Sequence, residues 1–328
     1  MKPAPHTALA SAMRNEGPHL MEWLAYHSVI GFEHILIITN DCTDGSDTLL
    51  DALAARGHVT HIRQTVPTGT APQDSAMRLA FRHLATTNAE WLCHIDSDEF
   101  LNIRLGEGHL SDLLARVGEA DVIALPWLFF GTSGHTARTL PVLPAFTACA
   151  AGFPEDTTKF KSMFRFAKFG HAHDHRPIEP KQDDLKVVSA AGTPLRNNLD
   201  SAKKRKKYFP HAKAIAPEAA VLNHYATRAE DDFLMKNARG DGQGHVSNKY
   251  HLGSAWFKTA NQNAAQDRSI LRHWPRVEAL LADWRNDPEI AALESACLAS
   301  DTALRHKTLT PATRLGWTLP PKAGTKGT

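Results

Sequence analysis

EHILIITNDCTDGSDTLLDALAARG, residues 33–57, is the stretch that decides the fold. Residues 33–39 are a near-continuous apolar run rich in β-branched side chains, the pattern of a strand covered on both faces. NDCTDGS (40–46) is turn chemistry. DTLLDALAARG (47–57) predicts a helix capped by Ser46 or Asp44 and stopped by Gly57.

The same strand–loop–helix unit repeats on either side. HTALASAM (6–13) predicts a strand and PHLMEWLAYHSVIG (18–31) a helix, with Pro18 in its first turn and Gly31 just past its end. Leu20, Trp23, Leu24 and His27 share one face of that helix. Further on, VTHIRQTV (59–66), EWLCHI (90–95) and DVIALPWLFF (121–130) predict strands. PQDSAMRLAFRHLATT (72–87) and HLSDLLARVG (109–118) predict helices. Such alternation implies an α/β fold with a mainly parallel sheet and helices on both faces. Ligands of these sheets bind outside the carboxyl ends of the strands. RNEGP (14–18), TNDCTDGS (39–46) and DSDEF (96–100) each follow a predicted strand, so all three belong on one edge. Residues 136–215 are rich in Pro and His, and amphipathic helical pieces dominate from 228 onward, ahead of a polar tail.

Composition narrows the class. The 328 residues are 42% hydrophobic and 22% charged, which excludes a disordered chain. A net charge of +2 argues against bulk binding to nucleic acid or membrane. Cys42, Cys93, Cys149 and Cys297 form no CxxC pair, so neither a zinc knuckle nor a disulfide framework is expected, and a reducing, cytoplasmic setting is. No apolar run suits a signal peptide or a membrane span.

HIDSDEF (94–100) carries the chemistry. Carboxylates at i and i+2 of an extended segment project to one side, so Asp96 and Asp98 are placed to share a cation. Oxygen donors suit Mg²⁺ or Mn²⁺, which usually bind substrate phosphates as well. The plainer reading is an acidic surface turn with Asp96 as a helix cap.

RNEGPHLMEWLAYHSVIGFEHILIITNDCTDGS followed by HIDSDEF resembles the N-terminal half of a GT-A fold glycosyltransferase of the family-2-like and family-92-like group. The likeness covers residues 8–135 and extends more loosely through WLFFGTSGH (127–135), KFKSMFR (159–165), HRP (175–177) and NHYATRAEDDFLMKNARG (223–240). It implies a nucleotide-sugar-binding half (1–135), an acceptor-side half of the same domain (136–250) and a helical C-terminal extension with a tail (251–328). It implies transfer of a sugar, with inversion, from a nucleotide diphosphate donor, UDP-linked by preference, to a hydroxyl of a glycan or other acceptor. Asp96 and Asp98 match the metal and diphosphate motif for Mn²⁺ or Mg²⁺, and His224 is a candidate third ligand. Arg14, Asn15 and Glu16 match the loop beside the nucleotide. The group often has Asp where this chain has Thr39, so Asn40, Asp41 or Asp44 takes over the contact to base or ribose, and the nucleotide stays open.

Other residues allow more than one role. Lys161 and Arg165, or Lys236 and Arg239, are placed either to neutralise a departing diphosphate or to be solvated surface charges. His175 is a candidate for the donor-binding loop. Glu99, Asp156, Asp174 and Asp232 are unranked candidates for the general base. Trp127 is a candidate for stacking on a sugar. GHAHDHRP (170–177) also suggests a zinc hydrolase, although its spacing is one residue short of the H-x-H-x-D-H pattern. A third reading is a nucleotide-sugar or polysaccharide binding protein without catalysis. The basic run Lys203–Lys207 suggests at most peripheral contact with the inner face of a membrane.

Overall fold

The computed structural model describes residues 6–154, 158–196, 211–239 and 249–318. The chain runs β1 (Thr7–Met13), α1 (Gly17–Ile30), β2 (His34–Thr39), α2 (Ser46–Ala55), β3 (Thr60–Arg63), α3 (Pro72–Leu84), β4 (Trp91–His94) and β5 (Glu99–Ile103). It continues through α4 (Leu110–Val117), β6 (Val122–Phe129), α5 (Val142–Ala145), β7 (Ala148–Cys149), β8 (Phe160–Arg165), β9 (Phe169–Ala172), β10 (Pro177–Pro180) and β11 (Val187–Ser189). The last elements are α6 (His211–Ala214), β12 (Ala220–His224), α7 (Glu230–Arg239), α8 (Ala255–Ala260), β13 (Ala265–Gln266), α9 (Trp274–Arg285), α10 (Pro288–Thr308) and α11 (Pro311–Thr318).

The main sheet has the order β3-β2-β1-β4-β8-β6-β12-β5, with β11 also on β6. The β3-β2-β1-β4 portion is parallel, as the strand–helix alternation predicts. Strand β8 then enters antiparallel between β4 and β6, so those two strands are not neighbours. Strand β12 lies parallel to β6 and antiparallel to β5.

Side-chain alternation places a core on each face. From β1 and β2, Leu9, Met13, Ile35 and Ile37 face α1, α2, α4, α9 and α10. Ala8, Ala10, Leu36 and Ile38 face α3 and the β9–β10 hairpin. The helical C-terminal region closes the first side, with α9 and α10 packed on α1. Gly17 makes that approach possible, because a Cβ there would lie 2.6 Å from Cys297 Cβ and 2.9 Å from Asp44 Oδ2.

One strand differs from expectation. Residues 99–103 continue the chain as β5, where the sequence reading has a loop. Two helix α1 side chains hold it: Trp23 Nε1 donates to Glu99 O at 2.9 Å, and Tyr26 Oη donates to Leu101 O at 2.8 Å. The acidic motif is therefore the short link between β4 and β5. The β5–β12 register sets Glu99 opposite His224.

Candidate active site

The loops that follow β1, β2 and β4 meet at one sheet edge. Asn15 and Asp41 adopt left-handed backbone, φ 54° and 49°, which Asn and Asp tolerate better than most residues. Asn15 Oδ1 accepts Thr43 N at 2.8 Å, and its Nδ2 donates to Thr43 Oγ1 at 3.1 Å. Arg14 Nε donates to Asp41 O at 3.3 Å, and Asn40 Nδ2 donates to Asp41 Oδ2 at 2.9 Å. Asp44 accepts Gly17 N and Ser46 N, each at 2.9 Å, so this buried carboxylate joins the starts of α1 and α2. Arg228, just past β12, is only 3% exposed. Its guanidinium reaches Glu16 Oε2 at 3.2 Å and Ser97 O at 2.9 Å, which ties the first loop to the acidic motif.

Asp96 and Asp98 have separate partners. Asp96 accepts Gln73 Nε2 at 2.9 Å and Lys161 Nζ at 3.1 Å, one on each oxygen. Asp98 accepts Lys236 Nζ at 2.8 Å and lies 3.5 Å from His224 Nε2. Burial alone would raise the Asp98 carboxyl, but Lys236 and His224 outweigh it and hold it well below the usual carboxylate range. Among the described residues no three His, Cys, Asp or Glu side chains converge as a ready cation cage. A magnesium-type ion needs no such cage, because one carboxylate, waters and substrate phosphates commonly complete its shell. Asp98 Oδ1 and His224 Nε2 are neighbouring donors of suitable kind, so these residues fit that role.

Lys161 anchors the other half of the motif. It is fully buried, with Nζ 2.5 Å from Asp174 Oδ1, 3.1 Å from Asp96 Oδ2 and 3.5 Å from Glu99 Oε2. Burial disfavours its charge, yet these carboxylates hold the ammonium well above its ordinary value. Burial likewise opposes ionisation of Asp174, but Lys161 and His175 hold that carboxyl far below the usual range. Glu99 goes the other way: burial pushes its carboxyl well above its ordinary value, and Oε1 has no partner. Its Oε2 accepts Asp96 N at 2.9 Å.

The histidine-rich segment spreads over different partners. His171 and His173 both face Asp74 on α3, at 3.3 Å and 3.4 Å. His175 Nδ1 lies 2.9 Å from Phe160 O, and burial pushes its pKa down. Asp232 caps α7 through Ala229 N and binds Arg305 of α10 at 2.5 Å. Arg165 lies 3.2 Å from Glu90 and over the Trp91 ring. Asp156, Lys203–Lys207 and the Arg239 side chain fall outside the described residues.

A cleft of about 310 Å³ adjoins the motif. Trp127 and Phe129 of β6 form one wall, and Lys258, Thr259 and Gln262 another. The His224 ring lies 4.2 Å from Trp127 and 5.3 Å from Phe129 between centroids, so this wall backs directly onto the Asp98–His224 pair. Sequence reasoning missed Arg228, Gln73, Lys159 and Trp256. Only Arg228 carried a local signal, a lone Arg between strand β12 and the acidic start of α7.

Comparison with known proteins shows the family. The family model for glycosyltransferase family 92 matches residues 15–251. A family 92 protein of Oryza sativa subsp. japonica is 30% identical over 164 residues, which are 48% of this chain and 26% of that protein. One of Ricinus communis is 25% identical over 235 residues, 68% of this chain and 35% of that protein. The chain thus spans about a third or less of the length of these curated relatives. Among solved structures, residues 1–349 of S. aureus TarS superpose with a TM-score of 0.37 and 16% identity, covering 95% of this chain and 92% of that one. The UDP complex of the same fragment gives a TM-score of 0.32 and 17% identity, covering 49% of this chain and 47% of that one. From the match over residues 15–251, the chain belongs to glycosyltransferase family 92.

Proposed function

We propose that this chain transfers a sugar from a nucleotide diphosphate donor, UDP-linked, to an acceptor hydroxyl, with inversion. The carrying observation is the Arg228 bridge from Glu16 to Ser97, which sets the first-strand loop beside Asp98, His224 and Lys236. Family membership supports the reading. Residues 1–135 supply the donor loops, while 136–250 add His224, Lys161 and Lys236 on the diphosphate side and Asp174 on the acceptor side.

Asp98 and His224 would hold Mn²⁺ or Mg²⁺. When bound, such an ion offsets charge on the departing diphosphate. Lys236 and Lys161 add fixed positive charge at the same edge. The acceptor oxygen bonds to the anomeric carbon as the bond from that carbon to the diphosphate oxygen breaks, and the hydroxyl proton passes to a carboxylate. Asp174 fits the base role best among the described residues. Its side chain is 31% exposed, whereas Glu99 and Asp232 are sealed at 0% and 3%. Against burial, Lys161 holds Asp174 below its usual range, so the carboxylate is ionised at neutral pH, and the ammonium would have to move off it before it takes the acceptor's proton. No helix among the described residues is long and apolar enough to cross a membrane.

The test is nucleotide release from UDP-sugars, with and without acceptor mixtures. Asp174→Asn should lower transfer by roughly 10²–10⁴-fold, the usual worth of a general base, while donor KM changes little. Asp98→Asn should raise donor KM as well. Unaltered turnover in both variants would sink the proposal.

A further inference from the structure

The cleft beside the motif has a chemical bias that the transfer reaction does not require. We infer that it is the acceptor subsite and that it takes a sugar bearing a negative charge, a carboxylate or a phosphate. This rests on the glycosyltransferase reading above.

Three observations carry it. First, the wall is aromatic: Trp127 and Phe129 lie 5.7 Å apart, and Phe129 meets Trp256 at 5.8 Å. Aromatic faces suit the apolar face of a sugar ring, and Trp127 Nε1 is buried without a partner, a donor left for a hydroxyl. Second, three lysines ring the same surface. Lys159 Nζ sits 5.6 Å from the Trp127 centroid and 5.9 Å from that of Trp256. Lys249 Nζ sits 4.8 Å from the Trp256 centroid, and Lys258 lines the cleft. Third, these ammonium groups differ from Lys161 and Lys236, which each hold a carboxylate. Among the described residues, Lys159, Lys249 and Lys258 have no carboxylate within ion-pair distance. Unpaired like charges around one aromatic cleft repel one another and favour an anionic guest. A neutral acceptor would need only the aromatic wall.

The position is also right for an acceptor. The wall contacts His224 on one side and His175, next to Asp174, on the other, with Trp127 and His175 centroids 5.1 Å apart. Through Trp127 the cleft thus adjoins the neighbourhoods of both the proposed base and the proposed diphosphate site.

Two probes that differ by one carboxylate decide the matter: p-nitrophenyl β-D-glucuronide and p-nitrophenyl β-D-glucoside. Tryptophan fluorescence titration of the full chain, with UDP and Mn²⁺ present, reads the dissociation constant of each. Glucose 6-phosphate against glucose repeats the comparison for phosphate. The glucuronide or the phosphate should bind roughly fivefold to tenfold more tightly than its neutral partner at low salt, as a few exposed charge pairs allow. The preference should collapse at 0.5 M NaCl, where screening is strong. Lys159→Gln/Lys258→Gln should abolish it while leaving glucoside affinity and melting temperature near wild type, because both lysines are exposed. Equal affinities within both pairs, or a preference unchanged in the double variant, would overturn the inference. A UDP-induced rise in melting temperature, measured on the same sample, shows whether the donor reading survives such a failure.

Discussion

Replacing Lys161 by Met removes one ammonium from among three carboxylates while keeping an unbranched side chain, one heavy atom shorter. The amine is fully buried and contacts Asp174, Asp96 and Glu99. Stripping the partner from a buried charge costs about 3–5 kcal/mol. The lower end applies here. Asp96 and Asp174 side chains are 28% and 31% exposed, so water rehydrates them in part, and burial, which raises the Glu99 carboxyl, lessens the charge left there. At ~2.1 cal/mol/K of unfolding entropy per residue, 328 residues shift by ~1.5 °C per kcal/mol, so ~3 kcal/mol is a fall of ~4 °C in melting temperature. The pH dependence has a definite sign. Asp174 is depressed in the folded protein, so the stability it adds is present above its unfolded value and lost as pH falls through the folded one. Lys161 is raised, so its contribution persists until pH climbs above its unfolded value. The gap between wild type and Lys161→Met should therefore be full near pH 7.5 and narrow below about pH 4. Urea unfolding at both pH values measures it. Adding Asp174→Asn should recover part of the loss, since an unpaired buried charge costs more than a neutral amide. Equal midpoints at pH 7.5, or a gap that widens on acidification, would refute the reasoning.

Two further outcomes follow from the packing. Glu22 is buried and accepts Val142 N and Leu143 N at 2.7 Å each, yet burial still pushes its carboxyl up to about 7. A raised carboxyl costs stability as pH rises between its unfolded and folded values, at ~1.4 kcal/mol per pH unit. Relative to wild type, Glu22→Gln should gain ~3 kcal/mol between pH 4.5 and 7, and a difference that stays constant in paired melts would contradict this. Gly17→Ala drives a methyl against the Cys297 Cβ, so it should cost ~1–3 kcal/mol and raise donor KM by disturbing Asp44; a wild-type melting curve would show that α10 gives way freely.

The sequence made the parallel half of the sheet readable because each strand, loop and helix there is local and has its own period. The placing of the loops after β1, β2 and β4 on one edge was readable for the same reason. Strand β5 was hidden because Glu99 and Asn102, both buried, break the apolar pattern of a covered strand. Strand β8 hid its key residue in the same way, since nothing local shows that Lys161 points inward to three carboxylates. The antiparallel pairings of β8 and β12 join segments far apart in the chain, and periodicity does not encode such partners. Spacing also misleads at HAHDH: its histidines diverge because Asp74, on a helix about a hundred residues earlier, collects two of them. Asp232 resembled a base in sequence, whereas its partner is Arg305 of the C-terminal region.

The most direct test of the donor site is a melting-temperature series on wild type and Asp98→Asn with UDP, GDP, ADP and CMP, each with Mn²⁺ or EDTA. A nucleotide at a hundred times its dissociation constant stabilises the native state by ~2.7 kcal/mol, which is ~4 °C here. The account predicts that rise with UDP and Mn²⁺ in wild type, most of it lost with EDTA, and none in Asp98→Asn. No rise with any nucleotide, or an equal rise in Asp98→Asn, would contradict it.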